Sequence, residues 1–175
     1  MCATILYHNK LQQICLTKGS SMTELQELRR YRRDLHRIPE LDFDLPQTIA
    51  YIEGVLAPLA CEVIHPCPSC VCAFFDAGTG ASHATAIRAD MDALPVHEAV
   101  NIPWKSKNDN VMHACGHDAH VACLLGAAKI LKQLCDEFEG TILLIFQPGE
   151  EKAPGGATLM LQNGLFDEYK PEAII

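Results

Sequence analysis

The chain has 175 residues, the size of one domain, and 49% of them are apolar, enough to bury a core. A formal charge of −8 argues against nucleic acid and anionic membranes as partners, because binding to phosphates needs clustered Lys and Arg. The only such cluster, Arg29, Arg30, Arg32 and Arg33, is expected to decorate the exposed face of a helix.

Residues 1–21 show no sustained period and end in Gly19-Ser20-Ser21, so they read as an extension ahead of a domain that begins near Met22. They lack the basic start, continuous apolar run and cleavage site of a secretory signal, and no stretch approaches the roughly twenty apolar residues of a membrane helix. Thr23, Leu25, Leu28, Tyr31, Arg32 and Leu35 give helical spacing with a cap at Thr23, and Pro39 stops that helix. Leu45-Pro46 opens a second helix through Ile49, Ile52, Val55 and Leu56, ended by Pro58. Val63-Ile64, Val71 to Phe75 and Ala84 to Ala89 read as strands, the last leading into Asp90-Met91-Asp92. Ala119 to Leu134 predicts a helix capped by Asp118, and residues 141–146 a buried strand between Gly140 and Pro148. Ala157 to Leu161 begins another helix, stopped near Asn163-Gly164, and Ala173-Ile174-Ile175 starts a strand. The order strand, loop, helix, strand predicts an α/β layer fold.

Ligands of such sheets collect beyond the carboxyl ends of strands. Three polar groups fall there: Asp90 with Asp92, Cys115 with His117, and Glu150 with Glu151. Cys115 and His117 can aim at one point only if Gly116 adopts an unusual backbone angle. His113, Asp118 and His120 crowd the same nine residues, a density of thiolate, imidazole and carboxylate groups that points to a divalent metal. His113 and His117 also have the spacing of two ligands on one helical face, but Gly116 argues against a helix there. Pro148-Gly149 is expected to press Glu150 and Glu151 into one crevice, where desolvation and repulsion raise one pKa and leave one carboxylate to bind metal and one to move protons. Nine cysteines of odd number suggest no disulfide framework and a reduced, cytoplasmic setting. Cys67, Cys70 and Cys72 are read as small apolar side chains entering a strand rather than as a metal site.

These motifs together resemble the M20 metallopeptidases, specifically the amidohydrolase branch that includes hippurate hydrolases, N-acyl-amino-acid amidohydrolases and auxin-conjugate hydrolases. The likeness spans most of residues 24–175. It rests on Arg33-Asp34-Leu35-His36 with Pro39-Glu40-Leu41, Arg88 to Pro95, Ser106-Lys107-Asn108, Val111 to His120, Gln147 to Glu151, and Gly155-Gly156-Ala157. It implies a three-layer αβα sheet of the zinc-exopeptidase type, with Cys115, His117 and Glu151 as metal ligands and Glu150 as general acid/base. Asp90, Asp92, His113, Asp118 and His120 would support the ligands from outside. It further implies hydrolysis of the amide bond of N-acyl amino acids, a centre of two divalent ions (manganese or zinc, with cobalt or nickel also suitable) and a homodimer. Family members are longer. They insert a smaller domain that closes over substrate, and add a histidine ligand after the strand at 173–175 and another near the carboxyl end. Residues 22–175 are therefore expected to be the truncated amino-terminal part of such a catalytic domain, incomplete and weakly active or inactive alone. The alternative is a non-catalytic metal-binding or interaction module derived from such an enzyme.

Overall fold

A computed structural model describes residues 22–168 and 170–175, and the extension expected over residues 1–21 lies outside the described residues. Helix α1 (Met22–His36) turns Leu28, Tyr31 and Leu35 inward as the spacing predicts, while Leu25 stays exposed. Helix α2 (Pro46–Leu56) starts on a proline, whose missing N–H is not needed there. The next two amides, of Gln47 and Thr48, donate to the Glu40 carboxylate at 3.1 and 2.9 Å. One 3-10 turn, Ala57–Leu59, then carries the chain past Pro58.

Among the described residues five strands form one mixed sheet: β1 (Glu62–Ile64), β2 (Val71–Asp76), β3 (Ala84–Asp90), β4 (Thr141–Gln147) and β5 (Ala173–Ile174), in the order β1-β2-β4-β3-β5. The β1–β2 and β2–β4 pairs are antiparallel, whereas β3 pairs parallel with both β4 and β5. Side chains alternate across the sheet with the two-residue period of a strand. Val71, Ala73, Phe75, Ala89, Leu144 and Phe146 face a core shared with α1, α2 and the long helix α3 (His117–Leu134). Cys72, Phe74, Ala86, Leu143 and Ile145 face the opposite side, where Met160 of α4 (Gly156–Gln162) and Leu165 of the short α5 (Leu165–Glu168) cover them. The result is three layers, helices on both faces of a sheet.

Helices α1 and α3 approach closely because Gly126 has no side chain to meet Leu28, and Lys129 pairs with Glu27 across the same contact. The arginine cluster on α1 is only partly decorative. Arg29, Arg30 and Arg33 are exposed, but Arg32 is half-buried and its Nε lies 2.9 Å from the buried carboxylate of Asp118.

The connection from β3 through α3 to β4 is a parallel crossover, so the carboxyl ends of both strands and the amino terminus of α3 meet at one end of the sheet. Register confirms it: Asp90, the last residue of β3, lies opposite Gln147, the last of β4. The long excursion from Met91 to Gly116 is pinned to the segment after α1. Ala93 N–H donates to Glu40 O (2.8 Å), Lys107 N–H to Arg37 O (3.0 Å) and Asn108 Nδ2 to Pro39 O (2.7 Å).

Candidate metal centre

Three segments deliver the donors. Gly116 is the residue before the first turn of α3 and has φ +92°, the left-handed backbone anticipated from the Cys-Gly-His spacing. A side chain added there would meet nothing within 4 Å, so the angle rather than space calls for glycine. The turn after β4 is shaped by Gly149, whose φ is +59° and whose bare Cα lies against the ring of Phe43. With those two bends in place, one donor atom each from Cys115, His117 and Glu151 lie within 4.8 Å of one another.

Asp92 ties the segments together. Its two carboxylate oxygens accept the N–H groups of Glu150 and Glu151, each at 3.0 Å, and its carbonyl oxygen accepts from His117 Nδ1 at 2.8 Å. A carbonyl only accepts, so Nδ1 carries the hydrogen and Nε2 is the nitrogen free for a cation. Burial opposes the charge of Asp92. The bonds from His117 and from the amides of Glu151 and Glu150 outweigh it and hold the carboxyl below its usual range. The Asp92 carboxylate in turn raises His117 against its burial. Desolvation pushes the Cys115 thiol up, with the charges of Glu151, Glu150 and Asp90 acting in the same direction.

A second cluster shares His117: Asp90, His117 and His120 also place one donor atom each within 4.8 Å. Asp90 is buried and ion-paired, its Oδ1 2.9 Å from Arg88 Nη1, a nitrogen that also donates to Gln147 Oε1. His120 is exposed, its ring stacked on that of His117 at 5.7 Å. Sulfur, imidazole and carboxylate in one cluster, and two imidazoles with a carboxylate in the other, are donor sets suited to borderline divalent cations.

Other expectations are corrected. Glu150 and Glu151 share no desolvated crevice, since both side chains are exposed; it is their amides that are held inward. Asp118 is not the cap of α3, because the helix begins one residue earlier and Asp118 lies in its first turn, buried. Its Oδ1 accepts from the Ala119 N–H (2.9 Å) and its Oδ2 from His36 Nδ1 (2.7 Å). As Gly116 led us to expect, His113 precedes α3 and shares no helical face with His117; it is buried, and among the described residues neither ring nitrogen has a hydrogen-bond partner. Sequence reasoning gave no role to Glu98, which is buried and lies 3.3 Å from His36 Nε2, because nothing local marks a partner 62 residues away. Cys70 and Cys72 sit in the core opposite α1, their sulfurs 3.7 Å apart and Cys70 Sγ 2.9 Å from Met160 Sδ, packed as small apolar groups.

Residues 86–175 match the peptidase family M20/M25/M40. An uncharacterized hydrolase of Staphylococcus epidermidis is 42% identical over 155 residues, covering 87% of this chain and 40% of the relative. A crystal structure from Bacillus subtilis, described as a dinuclear metal binding peptidase of the M20 family, superposes with a TM-score of 0.82 at 39% identity, covering 89% of this chain and 43% of that one. One from methicillin resistant Staphylococcus aureus superposes equally well, at 38% identity over 87% of this chain and 39% of its own. The chain thus spans about 40% of the length of the curated relatives it matches. Among the described residues no helix is long and apolar enough to cross a membrane. With the shared fold and the match over residues 86–175, the chain belongs to peptidase family M20/M25/M40, a family of hydrolases.

Proposed function

We propose that the chain supplies part of a divalent-metal centre for hydrolysing the amide bond of N-acyl amino acids, with Cys115, His117 and Glu151 as ligands and Glu150 as the group that moves the proton. The supporting observation is the convergence of those three donor atoms within 4.8 Å at the carboxyl ends of β3 and β4. Cys115, His117 and Glu151 would hold such an ion, which would supply Lewis acidity at this point. Glu150 is held by its own amide on Asp92, leaving its exposed carboxylate to take a proton from the attacking water and return it to the leaving amine. Asp92 keeps Nδ1 of His117 occupied and so directs Nε2 outward. Asp90 and His120 lie where a second ion, or additional donors to the first, would be held.

Residues 22–175 are read as the amino-terminal part of the catalytic domain, and the substrate as a small N-acyl amino acid or peptide-like amide. Manganese and zinc fit a mixed sulfur, nitrogen and oxygen set, as do cobalt and nickel. The thiols described, Cys61, Cys67, Cys70, Cys72, Cys115, Cys123 and Cys135, are all free, which suits a reducing compartment such as the cytoplasm. A homodimer is the proposed assembly.

The test strips the protein of metal, restores Mn2+ or Zn2+, and follows release of free amino acid from a panel of N-acyl amino acids, beside Glu150→Gln. Metal-dependent turnover that Glu150→Gln abolishes while metal still binds supports the assignment. Equal turnover by Glu150→Gln removes Glu150 as the proton carrier, and metal binding without turnover of any amide favours a non-catalytic metal-binding module.

A further inference from the structure

Next to His117 in the chain, Asp118 belongs to a buried polar cluster that the proposed chemistry does not use. Asp118, His36 and Glu98 are 1%, 2% and 3% exposed. His36 Nδ1 lies 2.7 Å from Asp118 Oδ2, and its Nε2 3.3 Å from Glu98 Oε1. Each ring nitrogen of His36 thus faces one carboxylate, and each carboxylate comes from a different segment. Arg32 Nε also reaches Asp118 Oδ2, at 2.9 Å. The remaining oxygens are used as well: Asp118 Oδ1 takes the Ala119 N–H at 2.9 Å, and Glu98 Oε2 takes the Ser106 N–H at 2.7 Å. These polar groups are thereby joined across three separate parts of the chain: α1, the excursion 91–116 and the first turn of α3.

Burying such a set is a poor route to stability, since apolar side chains of the same volume pack as well or better, and its best-attested use is to fix one arrangement among several. Here the arrangement at stake is local. The first turn of α3 has no side-chain cap, and the residue before it is a glycine at φ +92°, the freest kind of backbone. Asp118 follows His117 directly, so whatever grips Asp118 holds the backbone from which the His117 ring and, two residues before it, the Cys115 thiol project. Asp92 orients that ring from the strand side only.

We propose that His36 is a positioning residue for the metal centre: clamped between Asp118 and Glu98, it holds the first turn of α3 so that His117 and Cys115 face Glu151. This rests on the metal-centre reading above, and goes beyond it by assigning a function to residues that touch no donor atom.

The test uses Co2+ alone as the probe, because thiolate coordination gives a charge-transfer absorption in the near ultraviolet and the visible bands report geometry. The unmutated chain, Cys115→Ser, His36→Gln, Glu98→Gln and the core variant Leu56→Ala are titrated, with far-ultraviolet circular dichroism and urea unfolding run in parallel. His36→Gln is expected to lose about 10–100-fold in Co2+ affinity and to weaken or shift the thiolate band while its dichroism stays native. Glu98→Gln moves both in the same direction by less, and carries the test should His36→Gln fail to fold. Leu56→Ala, destabilised at a distance, keeps the affinity and spectrum of the parent. Native His36→Gln and Glu98→Gln with the parental affinity and band overturn the proposal. So does an equal loss in Leu56→Ala, which would assign the effect to stability alone. Absence of a Cys115-dependent band in the unmutated chain overturns the metal-centre reading itself and this inference with it.

Discussion

Replacing Asp92 by Asn tests whether one side chain organises the whole centre. In the parent, two carboxylate oxygens each accept one amide, from Glu150 and from Glu151, at 3.0 Å, and the residue is 1% exposed, so water does not screen these bonds. An Asn of the same shape offers one oxygen; its NH2 group then confronts the other N–H, donor against donor. One charge-assisted bond is lost, about 1.5–3 kcal/mol, and a buried amide is left without an acceptor, so the unfolding free energy should fall by about 2–4 kcal/mol. The turn bearing both glutamates must also tilt to relieve the clash. Metal affinity should therefore drop by about 10–100-fold, the usual scale when a group that orients a ligand is removed. Urea unfolding followed by circular dichroism reads the first effect, and Co2+ titration the second. An Asp92→Asn chain with parental unfolding midpoint and parental Co2+ affinity would refute the account of Asp92 as the tie between strand end, helix start and glutamate turn.

Other outcomes follow from the same geometry. His113 is buried, and burial lowers its pKa to about 4 from the ordinary 6.5, so on acidification the unfolded chain takes the proton first. Its contribution to stability is complete above pH 6.5 and lost as pH falls toward 4, at most about 3 kcal/mol, and His113→Asn should flatten the urea midpoint between pH 6.5 and 5 relative to the parent. An unchanged slope would exclude His113 as its source. Gly116→Ala meets no steric obstacle but must hold a φ of +92°, so it should cost about 1–3 kcal/mol and weaken Co2+ binding together; stability equal to the parent would mean that the backbone relaxes elsewhere. His117 is raised by Asp92, and Cys115 by desolvation and its acidic neighbours, so both keep their protons to higher pH than free side chains. Cation binding must displace those protons, affinity should climb from pH 6 to 8, and isothermal titration in buffers of different ionisation heat should count the protons released, up to about two per ion below pH 7. Affinity independent of pH over that range would contradict the ligand assignment.

The elements were largely legible because each rests on a local pattern. Tyr31 and Leu35 recur at helical spacing, the apolar runs of β2 and β4 are bounded by turn residues, and Pro46 marks the start of α2. Cys115, His117 and Glu151 were legible as candidates because they crowd two short segments at strand and helix ends. What could not be read was pairing across distance. Asp118 looked like a helix cap from its neighbours, whereas its partners Arg32 and His36 come from a different helix. Glu98 sits in an irregular stretch with no period to mark it as buried. The pair Glu150 and Glu151 suggested two desolvated carboxylates, but the turn after β4 points their amides inward and their side chains out.

The position of β4 at the centre of the sheet sets a timetable for synthesis. On the ribosome, among the described residues, β2 has only the three residues of β1 beside it, and β3 nothing, until a strand some fifty residues beyond β3 has emerged. At about 5–20 residues per second, the apolar faces of Val71, Phe75 and Ile87 wait several seconds for their central partner. Slowing translation between Asp90 and Thr141 should therefore lower the yield of folded protein more than slowing it after Gln147.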